Sequence, residues 1–322
     1  MEQRNIGRSG LRASLLGLGC NNFGPRLDLA ATKRVVFHAL DIGVNFFDTA
    51  DAYGLGASES LLGEILGDRR KHVILATKFG MAMDKDRKLS GASRRYIMSA
   101  VEASLKRLRT DWIDFYQLHQ PDPLTPIEET MAALDDLIRQ GKVLYIGCSN
   151  LPAWQVVEAN GAAAVRGSVA FLACQEEYSL LVREIEREML PAMKKFGLSL
   201  LPYRPIAGGF LTGKYRRNEP LPEGARLSSG AMKRFTDKFF TEKNWDRLDR
   251  LENLGKENGR TLLDIAFGWL AAKPFIPSVI AGASTPEQVD ANYKAVSCAL
   301  TQGELAQIDA IFAAQRRNES AA

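Results

Sequence analysis

Eight short apolar runs, spaced along the chain and separated by amphipathic stretches, constrain the fold most. They read LLGLG, VNFF, VILA, IDFYQL, VLYIG, VAFLAC, LSLLPY and SVIAG. Most are apolar at every position rather than at every second one. That is the pattern of parallel strands covered on both faces. The stretches between them carry helix signals. Asp28 stands at an N-cap position and Gly43 ends the same stretch; a second helix opens at Ser58. Ile97, Val101, Leu105 and Leu108 recur at helical spacing. IEETMAALDDLIRQGK places acids early and bases late, as the helix dipole favours, and REIEREMLPAMKKFG supplies another helix. Ahead of all this, QRNIG and LRASLLG flank Arg8-Ser9-Gly10 as a small hairpin. The rhythm predicts an α/β fold, a (β/α)₈ TIM barrel with a short N-terminal β-hairpin. Its 322 residues contain no linker-like tract, so residues 1–322 are expected to form one domain.

Barrels of this kind carry their sites on the C-terminal ends of the strands. Polar residues should therefore stand where the apolar runs stop, and they do. Asp48 follows VNFF, Lys78 follows VILAT and His119 follows IDFYQL. Ser149 and Asn150 end the next run, Gln175 the one after, and Tyr203 the one after that. Lys78 lies 30 residues beyond Asp48, close to the length of one strand–helix unit. His38, inside an amphipathic helix, and His72, amid charges, are read as ordinary surface residues.

A competing reading starts from GLGCNNFG, where Gly17 and Gly19 begin a dinucleotide-binding fingerprint and Asp48 would bind a ribose. The third glycine position holds Asn22, and Phe23-Gly24-Pro25 delays the helix that should follow at once. That reading also leaves Tyr53, Lys78 and His119 without roles.

Composition excludes several classes. A net charge of +4, with scattered basic residues, makes no case for nucleic acid. No apolar run is long enough to span a bilayer, and Met1 to Gly10 lacks the apolar core of a signal peptide, so a cytoplasmic protein is expected. Cys20, Cys148, Cys174 and Cys298 lie far apart without zinc-site spacing. They are read as small buried hydrophobes, with no metal expected.

The stretches NFFDTADAYG, ATKFG, YQLHQPD, GCSN, CQEEYSLL, PYRPIAGGFLTGKY and GASTPEQVDAN, in this order, resemble the aldo-keto reductase superfamily over nearly the whole chain. The resemblance implies a catalytic tetrad of Asp48, Tyr53, Lys78 and His119. It implies reduction of aldehydes or ketones, or oxidation of alcohols or sugars, with a nicotinamide cofactor. The chemistry is consistent with those residue types. A tyrosine delivers the proton, but a free phenol has a pKa of about 10. A nearby ammonium is expected to pull it toward neutrality. Asp48 would hold Lys78, and His119 would hydrogen-bond the substrate carbonyl. Asp51 gains no role and is read as a turn residue.

For the cofactor, the resemblance implies Ser149, Asn150 and Gln175 at the nicotinamide carboxamide, with Tyr203 stacked on the ring. Gly19, Cys20 and Asn21, with Asp48, would flank it. Arg204, Pro205, Ile206, Ala207, Gly208, Leu211 and Lys214 would line the pyrophosphate, and Gly282, Ser284, Gln288 and Asn292 the adenosine end. Arg204 stands where serine is common. The stretch from Gly282 to Gln288 lacks the basic residues that many members use for a 2′-phosphate; Lys214, Arg216 or Arg217 would supply that charge. NADP(H) is favoured over NAD. Phe23, Tyr53, Phe79, Met81 and His119 are expected around the small-molecule substrate. The segment from Gly213 to Asn244 is read as a lid or substrate wall. The ending QRRNESAA, with no long tail, suggests an open pocket. Some barrels of this family serve instead as auxiliary subunits of membrane channels, with bound cofactor as a sensor.

Overall fold

The computed structural model describes residues 1–228 and 233–313. The chain divides into two compact units. The first comprises Met1–Glu176, Glu184–Tyr203 and Phe275–Asp290. The second comprises Glu177–Arg183, Arg204–Pro274 and the described residues from Ala291 on.

The first unit opens with the expected hairpin, β1 (Gln3–Asn5) antiparallel to β2 (Arg12–Ser14). Eight parallel strands follow: β3 (Leu16–Gly19), β4 (Phe46–Asp48), β5 (Ile74–Phe79), β6 (Ile113–Leu118), β7 (Val143–Ser149), β8 (Ala173–Glu177), β9 (Ser199–Tyr203) and β10 (Val279–Gly282). Their order is β10-β3-β4-β5-β6-β7-β8-β9, chain order except that the last strand sits beside the first. Leu200 N–H, in β9, donates to Phe275 O, four residues before β10, so the two edges approach and the sheet nearly closes into a barrel. Helices α1 (Leu29–Asp41), α2 (Ala57–Leu66), α3 (Arg94–Leu108), α4 (Ile127–Arg139), α5 (Ala153–Arg166) and α6 (Met189–Phe196) make the crossovers.

Side chains alternate across each strand, and this decides where the site can be. Phe46, Ile74, Ala76, Phe115, Ala173, Leu201 and Ile280 form one apolar cluster, joined by Ile6 and Ala13 of the hairpin segment. Gly147 serves that packing: a Cβ there would stand 2.4 Å from the Phe115 ring. Two residues beyond these positions, on the same face, come Asp48, Lys78, Gln117, Ser149, Gln175 and Tyr203. A polar layer thus sits directly on an apolar one.

Local chemistry moves some boundaries. Asp48, Ser149 and Tyr203 are the last residues of their strands, Lys78 the last but one and Gln175 the middle of five, rather than the first residues after them. Helix α2 opens at Ala57 behind Gly56, whose φ of +92° suits glycine; Ser58 lies inside the helix. Only Met189–Phe196 of the REIEREMLPAMKKFG stretch is α-helix. Pro191 cannot donate an N–H and is tolerated in a first turn, so the helix starts just before it. The sixth run forms a strand only from Ala173, because Phe171 N–H is taken by Asn160 Oδ1 of α5 at 3.0 Å.

In the second unit, α7 (Lys233–Phe239), α8 (Glu242–Asn258) and α9 (Leu262–Ala271) follow one another. Phe210, Tyr215, Phe240 and Trp245 pack as an aromatic cluster with ring centroids 4.6–5.5 Å apart. Tyr215 Oη also accepts from Leu227 N–H at 3.1 Å. Tyr215 and Phe240 thus anchor the described part of the Gly213–Asn244 segment, while Asn218 to Gly224 are exposed. Helices α10 (Pro286–Val296) and α11 (Gln302–Ala313) complete the described chain; QRRNESAA lies outside the described residues. Cys20, Cys148 and Cys174 are buried, Cys298 is half-buried and all four are free thiols. Cys148 and Cys174 pair across β7 and β8 with their sulfurs 3.6 Å apart. No helix among the described residues is long and apolar enough to cross a membrane.

Candidate active site

A buried ammonium organises the polar layer. Lys78 exposes no surface, and its Nζ donates to Asp48 Oδ2 at 2.8 Å, to Thr49 O at 2.8 Å and to Tyr53 Oη at 3.3 Å. All three ammonium protons thus have an acceptor. Asp48 Oδ1 accepts from Gln175 Nε2 at 2.8 Å and from Gln117 Nε2 at 3.2 Å. Removing this ion pair from water costs several kcal/mol per charge, and the two amide donors help to offset it.

Burial works against the Lys78 charge, but Asp48 and then Tyr53 outweigh it and hold the lysine above its ordinary pKa. At Tyr53 the balance falls the other way from the expectation. Burial raises the phenol above its usual value, and the opposing pull of Lys78 does not cancel it. Tyr53 therefore stands at this site as a phenol, not as a phenolate poised near neutrality.

His119 follows β6, with its N–H on Phe79 O at 2.8 Å. Its ring meets Tyr53 edge-on, centroids 5.8 Å apart. Burial, and then the Lys78 charge, push its pKa down to about 3, so the imidazole is neutral at physiological pH. Its Nδ1 is buried without a hydrogen-bond partner. A neutral imidazole keeps one N–H.

Next to the tetrad, Asn150 adopts a left-handed φ of +61°. Its amide nitrogen donates to His119 O at 3.0 Å and Ser149 Oγ at 2.9 Å. Its Oδ1 accepts from Tyr203 Oη at 2.7 Å, which fixes the half-buried Tyr203 ring in place. Ser149 Oγ donates to Gln175 O at 2.8 Å. Asn150 thus joins the Tyr203 hydroxyl, Ser149 and the His119 backbone in one network. Gln175 also donates one amide N–H to Asp48 Oδ1, which ties it to the tetrad.

Parallel register sets Gly282 beside Gly19, and Gly19 beside Asp48. Around Gly282 the space where a Cβ would stand holds no atom closer than 3.7 Å. Cys20 is buried, its N–H on Asp48 O at 2.8 Å, and Asn21 is half-buried. Ser284 N–H donates to Gln288 Oε1 at 2.8 Å. Of the expected apolar wall, Met81 is exposed and Tyr53 half-buried, while Phe23 and Phe79 expose no surface and Phe79 packs on Tyr116.

The residues from Arg204 to Lys214, and Asn292, belong to the second unit. There Arg204, Ala207, Gly208 and Gly209 all have left-handed backbone, and Pro205, Ala207 and Leu211 are buried. Lys214 lies across Gly209, where a Cβ would come within 2.9 Å of its Nζ. Arg204 stacks on Phe235, 3.9 Å from the ring centre, and faces Glu177 at 3.8 Å. Arg216 pairs with Glu252 at 2.6 Å. Arg217 pairs with Glu242, Asp246 and Asp249.

Two contributors went unnoticed in the sequence. Gln117 stands two residues before His119, hence on the same strand face, and period-2 counting would have found it. Glu176 is buried at the end of β8, where it accepts from Asn150 N–H at 3.0 Å; burial raises its pKa to about 8. Nothing in its local sequence marks it.

An eight-stranded parallel barrel with a buried carboxylate–ammonium–phenol array at its strand ends defines a narrow class of protein. The chain belongs to the aldo/keto reductase family, whose model matches residues 15–313. It is 37% identical over 323 residues to an uncharacterized oxidoreductase of Bacillus subtilis, YrpG, covering 97% of this chain and 96% of that one. It is 36% identical to a probable voltage-gated potassium channel subunit beta of Arabidopsis thaliana, covering 92% and 91%. It is 32% identical to the L-glyceraldehyde 3-phosphate reductase of Escherichia coli, covering 96% and 92%.

Proposed function

We propose that this protein is a cytoplasmic NAD(P)(H)-dependent oxidoreductase, residues 1–322 working as one domain, that reduces aldehyde or ketone carbonyls or oxidises the corresponding alcohols. The observation that carries the proposal is the contact of the fully buried Lys78 ammonium with the Tyr53 hydroxyl at 3.3 Å. Family membership and the likeness to proteins named oxidoreductase and reductase support the reaction class.

A nicotinamide held beside Tyr203 would supply the hydride. Tyr53 gives its proton to the carbonyl oxygen as charge builds there. Lys78 stabilises the phenolate left behind, and Asp48 keeps Lys78 from turning away. Neutral His119 donates a hydrogen bond to the same oxygen and orients the substrate. In the alcohol direction Tyr53 takes the proton back. A phenol raised above its ordinary pKa enters the cycle protonated, which suits reduction.

The Tyr203 ring, held by Asn150, offers the stacking face, with Ser149, Asn150 and Gln175 around the carboxamide. NADP(H) is favoured. Lys214, lying across the left-handed Gly209, is the residue we assign to a phosphate.

The test is NADPH and NADH oxidation against a panel of small aldehydes, ketones and sugars. Turnover of at least one carbonyl is expected. Nucleotide binding with no turnover across the panel would refute the enzymatic reading. It would favour the second one, an auxiliary subunit that binds the cofactor, which the likeness to channel beta-subunit sequences supports.

A further inference from the structure

The turn that carries Tyr53 holds a second carboxyl. Asp51 is only 1% exposed, and neither of its carboxyl oxygens has a hydrogen-bond partner. Its backbone N–H donates to Lys78 O at 3.2 Å, while the Lys78 ammonium grips Thr49 O at 2.8 Å. Tyr53 N–H closes the turn onto Ala50 O at 3.2 Å. Asp51 and Tyr53 thus belong to one hydrogen-bonded turn.

The groups facing Asp51 come from every side. Glu59 approaches from α2, Arg107 and Tyr96 from α3, Tyr116 from β6 and Lys78 from β5. Glu59 accepts from Thr77 Oγ1 at 2.6 Å and pairs with Arg107 Nε at 2.6 Å. Arg107 is thereby engaged, as Lys78 is by Asp48. The buried Tyr116 hydroxyl also lacks a partner. Asp51 therefore sits out of water beside Glu59 with no side-chain donor on its carboxyl, and the backbone N–H of Ala52 offsets this burial only in part. A carboxyl so placed takes up a proton rather than remain a bare buried anion.

We propose that Asp51 is a positioning residue: as an uncharged carboxylic acid it keeps the Thr49–Tyr53 turn packed inward, and its ionisation releases the turn and draws Tyr53 away from Lys78. This rests on the reading of Tyr53 as proton donor. Burial first, and Glu59 next, raise the Asp51 pKa to about 7, which sets the pH range of the switch. Only the protonated form is competent, so reduction falls about tenfold between roughly pH 6 and 8.

The experiment is kcat against pH for wild type and Asp51→Asn, an amide of the same shape that does not ionise. Wild type should show the fall; the variant should be level over that range and, at the acid end, within about threefold of wild type. A variant that keeps the fall, a level wild type, or a folded variant inactive throughout would overturn the proposal. Carboxyl carbon-13 and tyrosine-ring NMR of wild type needs neither a variant nor turnover. Asp51 should titrate near neutrality with the Tyr53 ring signals moving at the same midpoint; an ordinary aspartate midpoint, or an indifferent Tyr53, would overturn it. If no carbonyl is turned over but the two titrations coincide, the enzymatic reading fails and the Asp51–Tyr53 coupling stands.

Discussion

Replacing Lys78 with methionine tests the central contact most sharply. Methionine preserves length and apolar bulk but removes the charge. The ammonium sits 3.3 Å from the Tyr53 oxygen. At an effective dielectric of about 20, that separation is worth about 5 kcal/mol to a phenolate. If proton transfer is about half complete in the transition state, about 2.5 kcal/mol of that is felt, a loss of roughly 70-fold in the chemical step. Stability falls as well. Removing one partner of a buried ion pair typically costs about 3–5 kcal/mol; the Gln175 and Gln117 amides remaining on Asp48 place this site near the lower end. The assay is single-turnover reduction of a small aldehyde by stopped flow, with the melting temperature measured alongside. A double-mutant cycle with Tyr53→Phe completes it. Lys78 acts through Tyr53, so Lys78→Met should cost little in the Tyr53→Phe background. Near-wild-type single-turnover rates in folded Lys78→Met, or full additivity of the two losses, would refute the reasoning.

Tyr53→Phe should remove most of the chemical step and leave nucleotide affinity within about twofold, read by fluorescence titration. His119 enters the acid range with its folded pKa near 3, below the unfolded value of about 6.5. The stability it contributes is complete above the unfolded value and is lost as pH falls toward the folded one. His119→Gln should accordingly resist acid unfolding better than wild type, by up to roughly 4 kcal/mol near pH 3, in denaturant titrations at stepped pH. Lys214→Ala should weaken NADPH binding about tenfold and NADH binding less, while Arg217→Ala should leave the ratio unchanged. Equal effects on the two nucleotides would remove Lys214 as the 2′-phosphate contact.

Much of this was legible from the residues alone, because it is periodic. Apolar runs that lack alternation specify strands buried on both sides, and their polar ends mark one rim of the barrel. Asp48, Lys78 and His119 were visible by that rule, and Tyr53 by resemblance. Gln117 obeys the same rule.

Other features exist only because distant segments meet. NFFDTADAYG looks the same whether Asp51 faces water or not. Its burial depends on α2, α3 and β6 closing over it, and its missing partners depend on Glu59 and Thr77 bonding each other instead. The direction of the Tyr53 pKa is of the same kind, since a lysine 25 residues away along the chain predicts a lower value while the surrounding packing imposes a higher one. Sequence order and side-chain period determined the barrel and its polar rim. Desolvation and the choice of hydrogen-bond partner belong to tertiary packing, because both depend on which atoms displace water, and those atoms come from every part of the fold.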